Sequence, residues 1–453
     1  MKRKPVIDIV ESWEEKYPSY VVGEQHQKDY KNLGTHSPYR IALDSYKLRA
    51  YDYRDLSEQA KCASTFWQDV VDIFEGRVSA NIYSQEGIVR NGLNDLCRQI
   101  LLAGVPDYFR DKQYKANYPI WGIDTIPADI FSGICEFEPT ILGAGLSAVS
   151  NKARAKAGQA IFTHVGRFRR HFRSVLPRGG VMIVSAKHVQ SLGQLRFLID
   201  HVFPKGWRIE ILREDFFSNP RWNKARIYYR VFDPGEYEND ELVKRFIEGV
   251  DAERIVPSLT PWFEGKNLLT IAHDKRFYRF FAERHGRGFV AYLRATIPQS
   301  WIVGQEQFFD SGLPLPDTVS SMDLVRLYGC ECFMKPNATR WGTGITYFEE
   351  LKNDSKRERR IEKALLSGEQ YVCQRAIKGG EREIEYYTPD TPDGSASMIA
   401  RYRVRLYFSS KGKILSNQVT ARNARIVHVA TDACLSVLSS FIQPFSVHMR
   451  KKR

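Results

Sequence analysis

Two stretches in the last third of the chain hold side chains suited to handling a strong anion. From Phe333 the sequence reads FMKPNATRWGTGITYF, with Lys335 at the end of a short apolar run and then a loop carrying Arg340 and Gly342. Glycine frees such a loop to close over a ligand, and basic residues at its base suit phosphates; a plain hairpin turn would use the same glycines. Further on, RYRVRLYFSSKGK sets Arg401, Arg403 and Arg405 on one face of an expected strand, with Leu, Val and Tyr on the other. Like charges in a row on one face are unfavourable unless an anion, such as a triphosphate, lies against them. An exposed edge strand that uses positive charge against aggregation would show the same pattern. Far upstream, GIDTIPADIFSGICEFEP holds Asp124, Glu136 and Glu138. The two glutamates alternate as the exposed face of a half-buried strand does, and Asp124 could simply cap a turn.

The bulk numbers bound what these residues can belong to. A chain of 453 residues has room for about three domains at roughly 150 residues each. With 43% hydrophobic and 26% charged residues it has the composition of an ordinary globular protein. The net charge of +14 asks for an acidic partner: nucleic acid, an anionic surface or phosphates. Basic runs stand at RFRRHFR (167–173), KRERRIEK (356–363) and both ends, and as solvated helix faces or tails they need no ligand. The 7 cysteines are irregularly spaced and contain no CxxC pair, which argues against a structural zinc site or a disulfide framework and for a reducing compartment. The apolar stretch near the N-terminus is too short and too charged for a signal peptide, and ACLSVLSSFIQPF is too short to span a bilayer. A cytoplasmic location with no membrane contact is the expectation.

Elements must hold these side chains in place. LSEQAKCASTFWQDVVDIFEGRV and NGLNDLCRQILLAGV repeat apolar residues at three- and four-residue intervals and predict packed helices. Near Trp121 the texture changes to short β-like runs broken by Pro and Gly, a hairpin followed by a loop. From Asn151 a long helix leads into RGGVMIVSA, which reads as a buried parallel strand; SLGQLRFLIDHVF, WRIEILRE and KARIYYRVFD continue the alternation of helix and strand. A Rossmann-like α/β domain is therefore placed at 155–260, between an N-terminal region (1–154) and a C-terminal one (261–453). The latter opens on a Pro-containing connector and the helix DKRFYRFFAERHG, followed by strands at CFMKP, GITYF, EQYVCQRAI, SMIARYRVRLYFS and KILSNQVTARNARIVHV and a closing helix from Thr431. His273 and His428 read as structural or surface residues, and Cys373 as a small buried one.

Taken together these segments resemble the ATP-grasp ligases. FMKPNATRWGTGI resembles their lysine strand and small-residue lid, QYVCQRAI their adenine hinge, YRVRLYFSSKGK the strand whose arginine stabilises the transferred phosphoryl, and FFDSGLPLPDTVSS the strand that opens the module. The ordinary members carry their magnesium carboxylates after the arginine strand, where this chain has VTARNARIVHV and no acidic residue before Asp432. Instead D-x11-E-x-E, Asp124 to Glu138, lies upstream and resembles the D-x11-E-x-N metal motif of the circularly permuted branch, such as the glutathionylspermidine synthase family.

The resemblance covers about residues 35–430. It implies an α/β fold with α+β subdomains, a permuted ATP-grasp built around the Rossmann-like domain, and Mg·ATP-dependent carboxylate–amine ligation through an acyl phosphate. It also implies roles: Asp124, Glu136 and Glu138 for magnesium; Lys275, Lys335, Arg340, Gly342 and the hinge Gln374, Arg375, Ala376 and Ile377 for ATP; and Arg405, or Arg403 one face-repeat earlier, for the phosphoryl in flight. The partners implied are a small-molecule or peptide carboxylate and an amine. The pattern departs from the family at Glu138, commonly Asn, and at Gly122, where glutathionylspermidine synthases carry arginine. The cysteine amidase domain of some relatives is absent, and GRGFVAYLRATIPQSWIVGQEQ is an insertion without a readable role. Two other readings stand beside this one: a basic nucleic-acid-binding protein using RFRRHFR, the tail and the 13% aromatic residues, and an ATP-grasp scaffold that binds nucleotide without turnover.

Overall fold

A computed structural model describes residues 39–41, 46–48, 50–84, 87–89, 92–112, 114–126, 133–141, 143–145, 148, 152, 165–306, 320–328, 331–337, 345–351, 353–377, 379, 381–387, 395–423, 440–443 and 445–447. Arg340, Gly342, His428 and most of FFDSGLPLPDTVSS lie outside the described residues; so does the start of the helix expected from Thr431, and where the chain is described again it is strand, at Ser440–Gln443 and Phe445–Val447, not helix.

After strands β1 (Tyr39–Ile41) and β2 (Tyr46–Leu48), helix α1 spans Ala50–Phe74. Its buried positions Leu56, Ala60, Ala63, Trp67, Val70 and Phe74 recur every three or four residues, so one face enters the core. Burying one large apolar side chain of this kind contributes about 1.5–3 kcal/mol. A short hairpin, β3 (Ile82–Ser84) and β4 (Gly87–Val89), leads to α2 (Gly92–Leu102) and the single turn α3 (Asp107–Arg110). The hairpin expected near Trp121 follows as β5 (Trp121–Ile126) and β6 (Gly133–Phe137). Trp67 of α1 meets Phe137 of β6 edge-on at 5.7 Å, and the Thr125 hydroxyl donates to Gln59 Oε1 at 3.0 Å, so α1 lies against this hairpin.

An α/β layer comes next: α4 (Val165–Val175), β7 (Gly180–Val184), α5 (Leu192–His201), β8 (Trp207–Ile211), β9 (Tyr228–Val231), α6 (Glu241–Gly249) and β10 (Ile255–Val256). The strands pair in the order β10-β9-β7-β8, all parallel. All five residues of β7 (GVMIV) are buried, as befits the inner strand of a sheet covered on both faces. The chain continues through α7 (Leu268–Ile271), α8 (Lys275–His285) and α9 (Arg287–Thr296) to β11 (Ser300–Ile302). After α10 (Ser321–Tyr328), strands β12 (Cys332–Pro336), β13 (Thr346–Tyr347) and β14 (Tyr371–Arg375), with helix α11 (Asp354–Leu366) between the last two, complete a sheet in the order β11-β14-β12-β13. The strand expected at GITYF shrinks to two residues before a 3₁₀ turn buries Phe348.

The last strands are β15 (Glu381–Tyr387), β16 (Ser395–Phe408), β17 (Ile414–Asn423), β18 (Ser440–Gln443) and β19 (Phe445–Val447). One sheet runs β1-β18-β17-β16-β5-β6, with β15 also on β16. Strand β16 changes partner along its length: Ser395–Arg401 pair with β15, Val404–Phe408 with β5. Hairpin β5–β6 from the first third is thereby joined to strands from the last quarter. The protein is a mixed α/β structure with parallel and antiparallel strand pairing.

Candidate functional site

The site grows from the register of that composite sheet. Arg405 on β16 is opposite Asp124 on β5, and Asp124 is opposite Glu136 on β6. Directly paired residues share a face, and i, i+2 positions share it too, so Arg403, Arg405, Asp124, Glu136 and Glu138 project to one side. Asp124 is fully buried. The Arg405 guanidinium meets it in bidentate fashion, Nε to Oδ1 at 2.5 Å and Nη2 to Oδ2 at 2.7 Å, while Arg403 reaches Oδ2 at 3.0 Å. Arg405 Nη2 also lies 3.9 Å from Glu138 Oε2. Burial alone would lower the pKa of Arg405; the facing Asp124 carboxylate outweighs it and holds the guanidinium well above its ordinary range. Glu138 is oriented from its other side by Thr140, whose hydroxyl donates to Oε1 at 2.5 Å.

Gly122 has a steric reason. A Cβ built there would stand 2.1 Å from the Glu138 carbonyl oxygen, because the Glu138 N–H donates to the Gly122 carbonyl at 2.8 Å. The backbone after β6 occupies the space that a side chain at 122 would need.

The second half of the site is the β11-β14-β12-β13 sheet. Phe333 and Gln374 are register partners, and Lys335 lies on the same face two residues on. Lys335 Nζ donates to Gln374 Oε1 at 2.6 Å and to the Cys135 carbonyl at 3.4 Å, which carries the lysine across to β6. The hinge closes the same gap: a Cβ on Gly133 would stand 2.5 Å from Ile377 Cδ1, so Ile377 packs on the start of β6. Gln374 is buried and its amide donates to Ser300 Oγ at 3.3 Å. The insertion without a readable role thus supplies α9 and the edge strand β11, whose Ser300 pairs with Gln374. Burial pushes Cys135 up to about 11 against the pull of Lys335 and raises Cys373 well above its usual value, which favours the protonated thiol at both.

The structure therefore brings together Asp124, Glu136, Glu138, Arg403, Arg405, Lys335, Gln374 and Ile377. Arg375 points outward, 3.9 Å from Glu331, while the Ala376 N–H donates to the Glu331 carbonyl at 2.8 Å. Lys275 opens α8 beside Asp274, whose carboxylate caps the helix. Preceding it, His273 is set near the outer end of β14: burial, with Arg294 and Arg375 adding to it, lowers its pKa to about 4, and its Nε2 bonds the Ile297 carbonyl at 2.5 Å. Among the described residues no group of three His, Cys, Asp or Glu side chains is drawn close enough to hold a metal ion.

Sequence reading missed Lys266. It lies in the connector before α7, is 7% exposed, and its Nζ stands 3.8 Å from Glu136 Oε1. With Glu136, Glu138, Asp233, Glu264 and Asn337 it lines a small cleft against the carboxyl end of β9. A lone lysine ahead of the apolar run NLLTIA gives no signal of its own.

The basic run of α4 is absorbed by the fold in part, while Arg170 and Arg173 are exposed. Arg167 donates to the Ile414 carbonyl at 3.3 Å, Arg169 to His201 at 2.6 Å, and His171 Nε2 bonds the Pro119 carbonyl at 2.6 Å. No helix among the described residues is long and apolar enough to cross a membrane.

No protein-family model matches the chain, and no curated protein matches it. Among solved structures it is similar to D-alanine--D-alanine ligase from Bacillus anthracis, at 14% sequence identity and a TM-score of 0.24, over 59% of this chain and 80% of that one. At that TM-score the likeness carries no argument about fold or activity.

Proposed function

We propose that this chain is a Mg·ATP-dependent carboxylate–amine ligase of the circularly permuted ATP-grasp type. The observation that carries the reading is the register Arg405–Asp124–Glu136, with Lys335 bonded to the residue before Glu136. Segments far apart in sequence meet there, and each supplies a residue type that phosphoryl transfer needs. ATP would lie between the Lys335 strand and β6, with its base at Gln374–Ile377 and its phosphates toward Lys335.

Asp124, Glu136 and Glu138 suit magnesium in kind, an all-oxygen set on one face of adjacent strands, but as they stand they are not drawn together closely enough to ligate one ion. Magnesium would neutralise charge on the phosphate oxygens. Closing that set means turning the carboxylates from Arg403, Arg405 and Lys266 toward the cation.

In the reaction, a carboxylate oxygen of the acyl substrate attacks the γ-phosphorus, the bond to the β,γ-bridging oxygen breaks, and ADP leaves. An amine then attacks the carbonyl carbon of the acyl phosphate, phosphate departs with the C–O electron pair, and the nitrogen gives up a proton to leave an amide. Arg405 stabilises the equatorial oxygens in flight with a planar, multi-donor guanidinium, and Lys335 supplies a point charge. No protein nucleophile is needed. The partners are a small-molecule or peptide carboxylate and an amine.

The test is thermal stability with and without Mg·ATP for wild type, Lys335→Ala and Asp124→Ala. At about 100 times its dissociation constant, ATP should add roughly 2.7 kcal/mol to wild type and nothing to either variant. Equal behaviour of all three proteins refutes the site. Binding by wild type without ADP release in the presence of mixed carboxylates and amines would leave a nucleotide-binding scaffold.

A further inference from the structure

The parallel strands β7, β8 and β9 are each entered through a turn that carries a cation two residues ahead of the strand: Arg178 in PRGG, Lys205 in PKGW and Arg226 in KARI. None of these turns holds an acidic residue, and all three side chains are exposed. Their closeness is built into the backbone. Gly179 and Gly206 both take positive φ, +70° and +86°, which glycine adopts without strain. The Gly179 N–H donates to the Lys205 carbonyl at 3.0 Å, and a Cβ on Gly206 would stand 3.4 Å from Gly179 Cα, so these two turns lie side by side. On the other flank the Val181 N–H donates to the Ile227 carbonyl at 3.1 Å, next to Arg226. Gly180 leaves room for both neighbours, since a Cβ there would stand 2.7 Å from the Trp207 ring and 2.9 Å from Ile227 Cγ2.

The fold thus holds three cations in a row across adjacent strands, at the amino end of the α/β layer and away from the cleft beside Asp233. Arg208 of β8 is neutralised by Glu210 at 2.9 Å, whereas among the described residues no carboxylate pairs with the three turn cations. Arg173 and Lys224, both exposed, flank the row. The carboxylates at this end lie on helix ends or beside β10: Asp200 in α5, Glu248 in α6, and Asp251 and Glu253 ahead of β10. Cations fixed side by side repel one another, and a polyanion laid across them relieves that repulsion. Of the large apolar side chains exposed among the described residues, only Val175 lies at this edge. The edge therefore lacks the apolar anchors that enter a membrane and the aromatic platforms that stack bases. We infer that it binds the phosphodiester backbone of a nucleic-acid duplex, through phosphate charge and without regard to sequence. This does not rest on the ligase reading and uses none of its residues.

The experiment is fluorescence anisotropy of labelled DNA and RNA duplexes of equal length, titrated with the full chain at salt concentrations from about 50 to 200 mM. Wild type should bind, with log K falling against log salt by about 0.9 for each phosphate contact. The triple variant Arg178→Gln, Lys205→Gln, Arg226→Gln should bind every sequence more weakly and lose about 2.7 of that slope. Arg178→Lys with Arg226→Lys keeps the charge and should keep the slope. The side chains are exposed, so an unchanged thermal midpoint checks that each variant is folded. Should the triple variant not fold, Arg178→Gln alone reads the same quantity, with a loss of about 0.9. A preference for RNA over DNA, or the reverse, supports the inference and identifies the source of the backbone. A wild type that binds neither duplex overturns it, and so does a slope unchanged in the neutral variants, which would place the nucleic acid elsewhere. Tighter binding to phosphatidylserine vesicles or to polyglutamate than to either duplex also overturns it, in favour of a membrane or an acidic protein.

Discussion

Two buried arginine–carboxylate pairs in this molecule look alike in composition and differ in what surrounds them. Arg230 of β9 meets Glu264 of the connector, with side chains 0% and 3% exposed. Its remaining donors end on main-chain carbonyls: Nε on Pro257 at 2.8 Å, Nη1 on Phe232 at 2.9 Å and Nη2 on Ser258 at 2.8 Å. Arg405 meets Asp124, but charged side chains stand around this pair, with Arg403 sharing the aspartate and Glu138 at 3.9 Å. A guanidinium wrapped in carbonyls has no second arrangement short of unfolding. One wrapped in side chains can exchange partners when a ligand arrives. The first pair belongs to the architecture; the second belongs to the chemistry.

The comparison can be broken most forcefully at Arg230. Arg230→Ala leaves Glu264 buried without its cation and should lower unfolding free energy by about 3–5 kcal/mol, read by urea denaturation. The folded fraction should still bind Mg·ATP with wild-type affinity; a specific loss of binding would erase the distinction between the pairs.

Arg405→Lys sharpens the comparison from the other side. Lysine keeps the charge and gives up the bidentate fork, so stability should fall by only about 1–2 kcal/mol. ADP release under ligase conditions should fall roughly 100-fold or more. Near-normal turnover would move the phosphoryl role to Arg403.

The smallest effect expected concerns His273, beside the hinge strand. Its folded pKa of about 4 lies below the ordinary 6.5. The unfolded chain therefore binds the proton more readily, and stability present above pH 6.5 is lost as the solution is acidified toward pH 4. His273→Gln should flatten that part of the stability–pH curve by on the order of 2 kcal/mol. A curve that keeps its slope in the variant would show that other groups set it.

What could be read in the sequence follows from local physics. The β5–β6 hairpin, the apolar run of β7 and the face shared by Arg403 and Arg405 are each written in short-range sequence, and each is present in the structure. Lys335 could be singled out because glycines follow it. Lys266 could not, because its setting depends on Asn267 and Asn337 meeting across 70 residues. The insertion at 286–307 was opaque for a similar reason: β11 gains its purpose only by pairing with Gln374. The arginines of α4 look like a phosphate surface in one dimension, and only the fold shows carbonyls taking up Arg167 and Arg169.

The sheet that joins β5 to β16 also bears on how the protein is made. Asp124 and Arg405 are separated by 281 residues. At synthesis rates of roughly 5–20 residues per second, the aspartate emerges from the ribosome about 15–60 seconds before the arginine that neutralises it. For that interval the hairpin lacks both its neighbouring strand and its counter-ion, while the α/β layer is already complete behind it. Assembly of the site is therefore a long-range event that nascent chains reach only once β16 has been made. Ribosome-stalled chains ending before β16 should leave Asp124 open to solvent, a half-built centre waiting on its partner strand.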